Sequence, residues 1–280
     1  MQDSIAVNTS SRAVRAPIEF LVPGPGRLFS YSTDPAPNDA PATATFEARP
    51  VVIYDVRAAG TAPSLDANGA ALLRYRTEVR DFYDDDEVQR RYYPEVAGFI
   101  RAVAGASRVL VFDHNVRRGE GLPGLVGLGS PRRPVMHAHT DFTAASARRR
   151  LLECLDGESF DFDRRHYLQV NLWRPIRSPL RDAPLAICDG ATVAPESLSA
   201  VELVYPTRRG EIHYLSYDAS QRWFYAPDME TDEVWLIKNF DSAAPTTVSS
   251  APHSAFQDPT VHDHVLPRES IEVRAFALFD

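Results

Sequence analysis

The segment HYLQVNLWRPI, residues 166–176, alternates aliphatic side chains with polar and aromatic ones. Successive side chains of an extended strand point to opposite faces, so this alternation predicts a strand with two chemically different faces. The aliphatic face carries Leu168, Val170 and Leu172. The other face carries Tyr167, Gln169, Asn171 and Trp173. We expect the aliphatic face to pack in the core and the polar face to look into the mouth of a barrel.

Similar short runs of β-branched and aromatic residues surround this strand, and Pro, Gly and Asp separate them. They read SRVLVFDHNVRR, PLAICD, VELVYP, EIHYLSYD, RWFYAP, EVWLIKNFD and SIEVRAFALF. Many short strands at this spacing favour a β-sandwich or barrel over alternating strand–helix units. One helix is predicted to interrupt them over residues 144–155, with Thr143 as its N-cap.

The first part of the chain differs in composition from this β-rich region. Residues 1–50 hold many prolines and small residues from position 17 onward, which predicts an extended segment over the surface of the main body. Apolar residues at helical spacing predict flanking helices over residues 75–105, broken at Pro94. We therefore expect one domain over residues 1–280, with the first 50 residues as an N-terminal wrap.

The bulk composition limits the partners that the chain can have. The 30 basic and 38 acidic residues give a formal net charge of -8 without a basic block, so nucleic acid is not expected as a partner. No segment approaches the roughly 20 apolar residues of a membrane span. The start of the chain also lacks the apolar middle of a secretory signal, and we expect a cytoplasmic protein without membrane contact. Cys154 and Cys188 lack the close spacing of a zinc knuckle or a redox pair.

The stretch GEGLPGLVGLGSPRRP, residues 119–134, contains the G-x-G-x-x-G pattern of dinucleotide-binding loops at Gly119, Gly121 and Gly124. Such a loop needs a helix immediately after it, because the helix N-terminus meets the pyrophosphate. Here Pro123 interrupts the pattern and further glycines and prolines follow. We interpret the stretch as a flexible loop that could cover a nearby site.

The stretch MHAHTDFT, residues 136–143, places two histidines and an aspartate at alternate positions. In an extended strand His137, His139 and Asp141 point to one face, which a buried core would not favour. One imidazole and one carboxylate two residues apart can bind a single metal ion, provided that a third ligand comes from elsewhere in the chain. Two histidines and one carboxylate on one side of a metal leave the opposite positions open and suit non-haem Fe(II). A surface cluster of histidine and aspartate is the alternative interpretation of this stretch alone.

A candidate third ligand lies near the C-terminus. His253 is followed by Arg268 at the head of the last predicted strand. This order suits iron together with an oxo-acid, because a guanidinium can bind a carboxylate in bidentate fashion while the metal binds the other end of the molecule.

Five segments of the chain together resemble the Fe(II)/2-oxoglutarate-dependent oxygenases, and within them the natural-product hydroxylase/desaturase group, such as the cephamycin methoxylation and fungal gibberellin desaturation proteins. The segments are MHAHTDFT, VNLWRPIRSPLRDAPLAICD, RWFYAPDMETDEVWLIKNFDS, PHSAFQDP and PRESIEVRA. The resemblance implies a mostly β fold with flanking helices (α+β), namely the double-stranded β-helix or cupin-like jelly roll. It also implies Fe(II), 2-oxoglutarate and O2, and a small-molecule substrate that is hydroxylated, desaturated or cyclised.

The resemblance also implies the residues of the site. The iron triad falls on His139, Asp141 and His253, and the carboxylate-binding arginine falls on Arg268 within an Arg-x-Ser element. Arg274 is the rival for the oxo-acid, because even-numbered positions of one strand face the same way. The need for a fixed bidentate fork and the Arg-x-Ser match favour Arg268.

Five further residues are candidates for contacts with the co-substrate or the substrate. Gln169 and Asn171 could hold the oxo-acid or the substrate, or serve as structural hydrogen-bonding groups. Trp173 and Tyr225 are candidate pocket walls, with core packing as the alternative. Arg174 could bind a substrate carboxylate, or form an ordinary salt bridge beneath the barrel rim.

Two other functions are alternatives to an iron oxygenase. A zinc hydrolase could use His137, His139 and Asp141, although three consecutive ligands on one face would crowd a single ion and leave His253 unexplained. A cupin-like binding module could keep the barrel without the chemistry, but intact ligands at all three triad positions argue against it.

Overall fold

The computed structural model describes residues 13–31, 39–58, 60–119, 133–205, 208–244, 248–262 and 265–280. Within these ranges the strands are β1 Ala13–Leu21, β2 Phe29–Tyr31, β3 Phe46–Asp55, β4 Ala70–Arg74, β5 Arg108–Arg118, β6 His139–Thr140, β7 Tyr167–Pro175, β8 Leu185–Cys188, β9 Leu198–Val204, β10 Arg209–Leu215, β11 Trp223–Tyr225, β12 Glu233–Asp241, β13 His253–Ala255 and β14 Glu269–Leu278. The α-helices are α1 Leu65–Asn68, α2 Asp85–Glu87, α3 Tyr93–Ala104 and α4 Ala144–Leu155.

The strands form two sheets that pack face to face. One sheet has the order β1-β3-β11-β8-β13-β6-β10-β9-β2, and the other has the order β4-β12-β7-β14-β5. Side chains of both sheets meet in one core cluster, which contains Trp173 of β7, Ile187 of β8 and Trp235 of β12. Strands that are distant in the sequence are therefore neighbours in space, and the predicted jelly roll is confirmed.

Strand β7 lies in the middle of the five-stranded sheet, between β12 and β14. Its aliphatic residues Leu168, Val170 and Leu172 pack with Val96 and Ile100 of α3 on the outer face of this sheet. Burial of each such aliphatic side chain stabilises the fold by roughly 1.5–3 kcal/mol. The polar face of β7 points the other way, into the space between the sheets, as its alternation predicts.

The segment predicted to be a surface wrap is partly a strand of the larger sheet. Over its length, β1 pairs with β3 in antiparallel register, from Ala13 opposite Tyr54 to Leu21 opposite Phe46. Alternate side chains of β1, among them Ile18 and Phe20, lie in a core cluster with residues of four other strands. The extended conformation predicted for residues 1–50 is thus found in β1, but β1 is part of the barrel wall because its alternate residues are apolar.

The helical region begins later than predicted. A turn of π-helix, Val88–Tyr92, joins α2 to α3, so helix runs from Asp85 to Ala104, while residues 75–84 form no helix. Pro94 lies in the first turn of α3. The change from π-helix to α-helix falls directly before Pro94, whose missing N–H removes one hydrogen bond from the continuous helical run.

The α4 helix agrees with its prediction at both ends. It runs from Ala144 to Leu155, and the Thr143 side chain caps it by accepting from the backbone N–H of Ser146. Both cysteines are free thiols. The predicted glycine-rich loop lies outside the described residues, apart from Gly119 and residues 133–134. None of the helices in the described ranges is long and apolar enough to cross a membrane.

Candidate metal centre and co-substrate site

Strand pairing in the larger sheet brings two histidines together. His139 of β6 is the direct antiparallel partner of His253 of β13, and Asp141 follows the end of β6. The imidazole rings of His139 and His253 have centroids 4.6 Å apart. One ligand atom from each histidine and one carboxylate oxygen of Asp141 all lie within 4.8 Å of one another. The structure thus brings together the three residues that the resemblance implied as metal ligands.

Backbone carbonyls orient both imidazoles. The Nδ1 atom of His139 lies 2.7 Å from the carbonyl oxygen of His137, and the Nδ1 atom of His253 lies 3.3 Å from that of Ala251. A carbonyl only accepts, so each Nδ1 carries the proton and each Nε2 has a free lone pair. His253 Nε2 is buried and has no hydrogen-bond partner within the described residues. A buried acceptor without a partner is rare, and a metal ion at this point would satisfy it.

The carboxylate of Asp141 is held through one of its two oxygens. Its Oδ2 accepts from Nδ2 of Asn171 at 2.7 Å and from Nε of Arg274 at 2.8 Å. Its Oδ1 lies 3.6 Å from Nε2 of His139. The backbone N–H of Asp141 donates to Oδ1 of Asn239 at 2.8 Å, which fixes the main chain as well. Asp141 therefore turns one oxygen towards the imidazoles and keeps the other in protein hydrogen bonds.

The protonation states in this cluster suit metal binding. Burial lowers the pKa of His139 to about 4, with a further contribution from His253, and burial also lowers the pKa of His253. Burial opposes ionisation of Asp141, but the Arg274 guanidinium and the two imidazoles outweigh it and hold its pKa well below the usual range. At neutral pH the cluster offers two neutral imidazoles and one carboxylate, which are the donors that Fe(II) takes in facial-triad sites. The residues present therefore fit this metal.

His137 lies outside this cluster. Its Nε2 is 2.7 Å from a carboxylate oxygen of Glu19, and its ring stacks on Phe46 with centroids 3.8 Å apart. Strand β6 contains only His139 and Thr140, so the extended strand over positions 137, 139 and 141 that would put three ligands on one face does not form. The zinc hydrolase alternative loses its ligand set for this reason.

The two arginines of the last strand have different partners. Arg268 is buried, and its side chain donates from Nε to Oγ of Ser270 at 3.0 Å and from Nη1 to the carbonyl of Ala183 at 2.7 Å. No carboxylate among the described residues forms an ion pair with it, and burial lowers its pKa to about 9. Its guanidinium lies over the ring of Trp173, 5.0 Å from the centroid.

Arg274 is surrounded by acidic groups. Beyond Asp141, it donates from Nη1 to Asp113 at 3.3 Å and from Nη2 to Glu272 at 2.8 Å. Burial opposes its charge, but Asp141, Asp113 and Glu272 more than compensate and raise its pKa well above the ordinary value. Of the two candidates for the oxo-acid, only Arg268 has a desolvated charge without a protein carboxylate.

Two residues of the polar face of β7 support Asp141, one directly and one through the other. Asn171 contacts Asp141 directly, and Gln169 donates from Nε2 to Oδ1 of Asn171 at 2.9 Å. Gln169 Oε1 is buried without a hydrogen-bond partner in the part of the chain that is described. Asn239, which sequence analysis missed, lies next to a register shift of β12 that no simple alternation predicts.

The three candidates for substrate contacts lie elsewhere. Trp173 and Tyr225 are buried in separate core clusters. Arg174 lies on the outer face of β7, 5.9 Å from the ring centroids of Phe82 and Tyr92, and it donates to the carbonyl of Thr231. The alternation that defines the aliphatic face of β7 already included position 174, so this placement could have been read from the sequence.

A cavity of about 1060 Å³ opens beside the triad. His139, Asp141 and Arg274 form part of its wall, whereas Trp173, Arg174 and Tyr225 do not. Apolar side chains that the sequence analysis did not single out also line it, including Met136, Phe142, Ile212 and Tyr214. The cavity has room for an organic molecule of moderate size next to the metal ligands.

Comparison with known proteins shows the family of the chain. The sequence profile of the family described as "Oxidoreductase/YMDC permease-like domain" matches residues 18–278. The hydroxylase/desaturase efuI of Hormonema carpetanum is 29% identical over 255 residues, which cover 84% of this chain and 85% of that protein. The alpha-ketoglutarate-dependent dioxygenase phiK of a fungal species (strain ATCC 74256) is 31% identical over 235 residues, which cover 77% of this chain and 79% of that protein.

A solved structure has the same fold. The iron and alpha-ketoglutarate-dependent endoperoxidase NvfI superimposes with a TM-score of 0.84 at 27% identity, over 96% of this chain and 99% of that chain. The chain belongs to the oxidoreductase family that the matching profile describes, and it is an Fe(II)/2-oxoglutarate-dependent dioxygenase of the natural-product hydroxylase/desaturase group.

Proposed function

We propose that His139, Asp141 and His253 bind the Fe(II) of this dioxygenase. The observation that carries the proposal is the buried Nε2 of His253, which lacks a hydrogen-bond partner among the described residues. His253 also offers one ligand atom to the group of three that lie within 4.8 Å of one another. When bound, iron and 2-oxoglutarate together supply the activation of O2 for an oxidation of the substrate.

We further propose that Arg268 binds the distal carboxylate of 2-oxoglutarate. A guanidinium has five N–H donors, and two of those of Arg268 are used by Ser270 and Ala183. The remaining donors can form the parallel pair of hydrogen bonds that a carboxylate accepts. Trp173 under the guanidinium plane keeps it in place, and burial strengthens its attraction for an anion.

The surrounding residues keep the proposed ligands in the protonation state that binds iron and hold the substrate beside them. The carbonyls of His137 and Ala251 hold the imidazoles in the tautomer that keeps Nε2 free, and Asn171 and Arg274 keep Asp141 ionised. The buried position of the triad excludes water from its inner side. Apolar side chains of the cavity hold the substrate against the open side of the triad.

The substrate that we propose is a small organic molecule of a natural-product pathway. The cavity of about 1060 Å³ accommodates such a molecule, and the net charge of -8 disfavours a polyanion. Hydroxylation, desaturation and ring formation are all compatible with this site. We also propose that residues 1–280 form one domain and that the protein is cytoplasmic.

The test is succinate formation. Wild-type protein with Fe(II), 2-oxoglutarate and O2 should release succinate, and His253→Ala should release none above the protein-free level. His262→Ala is the matched control, because His262 is an exposed histidine outside the cluster. Succinate formation by His253→Ala at the wild-type rate would contradict the proposed ligand set.

Arg268 has its own test. Arg268→Lys keeps the charge but loses the planar fork, so we expect a rise of about 10-fold or more in the 2-oxoglutarate concentration at half-maximal rate, equivalent to about 1.4 kcal/mol or more of binding. Iron affinity should stay close to that of the wild type. An unchanged 2-oxoglutarate requirement would remove Arg268 from the site.

A further inference from the structure

The guanidinium of Arg274 has all of its donors in use. Nε donates to Asp141, Nη1 to Asp113 and Nη2 to Glu272. The side-chain oxygen of Asn115, in the amide orientation that satisfies both ends of that group, accepts from Nη1 at 2.7 Å and from Nη2 at 2.9 Å. Five contacts thus match the five N–H donors of an arginine. Arg274 has no donor left for the carboxylate of a co-substrate.

These partners hold Arg274 from two strands. Glu272 lies two residues earlier on β14, and Asp113 and Asn115 lie on the neighbouring strand β5. The guanidinium is therefore fixed in its plane by groups on β14 and β5. A planar fork that is held at both Nη atoms can place its Nε–H at one point, which a flexible ammonium cannot do.

That point is the second oxygen of Asp141. Nε of Arg274 and Nδ2 of Asn171 both donate to Oδ2, at 2.8 and 2.7 Å. An oxygen with two strong donors is a poor ligand for a metal ion, whereas Oδ1 faces Nε2 of His139. Groups that orient a ligating carboxylate in this way contribute to metal affinity without touching the metal.

We propose that Arg274, held by Glu272 and Asp113, is a positioning residue that makes Asp141 a ligand through Oδ1 alone and takes no part in binding 2-oxoglutarate. This inference rests on the proposed metal triad. It gives the two arginines of β14 separate tasks: Arg268 serves the co-substrate, and Arg274 serves the metal ligand.

The experiment is a titration of metal-free protein with Co(II), without co-substrate, followed by visible absorption. Arg274→Lys keeps the positive charge beside Asp141, so a loss of affinity reports the lost fork and not a change in charge. We expect Co(II) affinity to fall about 10- to 100-fold and the Co(II) absorption bands to change, because Oδ2 loses one of its two donors and Asp141 is no longer fixed in its orientation. At saturating Co(II), the affinity for 2-oxoglutarate should stay close to that of the wild type.

Two control variants separate this effect from general damage. Arg268→Lys should show the opposite pattern, with wild-type Co(II) affinity and weakened 2-oxoglutarate binding. Arg164→Lys, at an arginine whose side chain is 87% exposed, should change neither quantity.

If Arg274→Lys fails to fold by circular dichroism, Glu272→Gln provides the test, since it leaves Arg274 in place and removes one of its charged partners. A several-fold loss of Co(II) affinity is expected for Glu272→Gln.

Four outcomes would contradict the inference. Wild-type Co(II) affinity and absorption in Arg274→Lys would overturn it, and so would an unchanged Co(II) affinity in Glu272→Gln where that variant decides. Loss of 2-oxoglutarate affinity in Arg274→Lys without loss of Co(II) affinity would make Arg274 a co-substrate anchor. Failure of the wild type to bind Co(II) would overturn the proposed metal triad itself, and the inference with it.

Discussion

At the scale of single residues, His137 and His139 show how the same side chain acquires two different environments within one short stretch. His139 lies at the pairing point of β6 with β13, where its ring meets that of His253. His137 lies before β6 and pairs with Glu19, with side-chain exposures of 35% and 44%. Burial lowers the pKa of His137, so at neutral pH its ring meets Glu19 mainly as a neutral hydrogen-bonding group, and such a contact contributes about 0.5–1.5 kcal/mol to folding. We therefore expect His137 to be dispensable for the fold and for metal binding.

This difference predicts a clear contrast between two variants. His137→Ala should bind Fe(II) or Co(II) with nearly wild-type affinity, because it removes no ligand atom of the cluster. His139→Ala should lose measurable binding, since one of three ligands is gone. Isothermal titration calorimetry of the metal-free proteins measures both. Equal loss of metal binding in the two variants would show that His137 is a ligand.

Among the elements, α4 follows directly on the stretch MHAHTDFT, residues 136–143. Its N-cap, Thr143, comes two residues after Asp141. The Thr143 hydroxyl accepts from the N–H of Ser146 and contacts Glu211 of β10, while the Ser146 hydroxyl accepts from the N–H of Thr143 at 2.9 Å. This reciprocal capping box fixes the residue at which α4 begins.

Loss of the cap should destabilise the protein modestly. Thr143→Ala should lower the free energy of unfolding by about 1 kcal/mol, with a range of about 0.5–2 kcal/mol. Thr143→Ser keeps the capping oxygen and should lose much less. Urea unfolding followed by circular dichroism measures this difference. If the two variants were equally destabilised, the methyl group of Thr143 and not its cap would be responsible.

Strand β12 contains the only lysine of the chain, and that lysine is fully buried. Nζ of Lys238 donates to Oδ2 of Asp241 at 2.6 Å, and the two side chains are 0% and 1% exposed. The other oxygen of Asp241 lies 2.8 Å from Nε2 of His166 and accepts from the N–H of Ala243. The pair of Lys238 and Asp241 lies at the end of β12, where the register with β7 shifts.

Removal of one partner from this pair should be costly. Asp241→Ala leaves the Lys238 ammonium buried without its carboxylate, and we expect a loss of about 3–5 kcal/mol in the free energy of unfolding. The double variant Lys238→Met/Asp241→Ala should recover part of the loss, because no charge is then left buried. Asp161→Ala is the control, since the half-exposed Asp161 side chain forms a 3.9 Å pair with the exposed Arg164 and accepts one hydrogen bond from the N–H of Asp163. Similar stabilities for Asp241→Ala and Asp161→Ala would refute this view of the pair.

At the scale of the whole molecule, the metal centre joins chain segments that are far apart in the sequence. His139 and His253 come from adjacent strands of the larger sheet, while Asn171 and Arg274 reach Asp141 from the smaller one. A metal ion at the triad thus links both sheets through direct ligands and their hydrogen-bonded partners. Because a native site of this kind does not exist in the unfolded chain, binding stabilises the fold.

We therefore expect a metal-dependent rise in the unfolding temperature. Co(II) at about 100 times its dissociation constant should stabilise the wild type by about 2.7 kcal/mol, which corresponds to a Tm rise of several degrees. Differential scanning calorimetry should show no such rise for His253→Ala and the full rise for His262→Ala. A rise of the same size in His253→Ala would place the stabilising ion elsewhere.

The amino-acid sequence by itself determined the features that depend on local pattern and on side-chain chemistry. The alternation of β7, the bounds of α4 and a β-sandwich or barrel followed from periodicity, capping and strand spacing, whereas the jelly roll was implied by the resemblance to the iron oxygenases. The H-x-D pair and the distant histidine indicated an iron oxygenase because few other chemistries need those donors together.

Only the tertiary structure decided what depends on distant neighbours. Strand pairing determines whether His137 contacts a metal or Glu19, and whether Arg274 contacts a co-substrate or three carboxylates. Glu19 and His137 are more than 100 residues apart in the sequence, and so are Asp141 and Arg274. The incorporation of β1 into the larger sheet has the same origin. Composition predicted an extended segment there, but an extended chain joins a sheet only where a partner strand offers its hydrogen bonds and its apolar face.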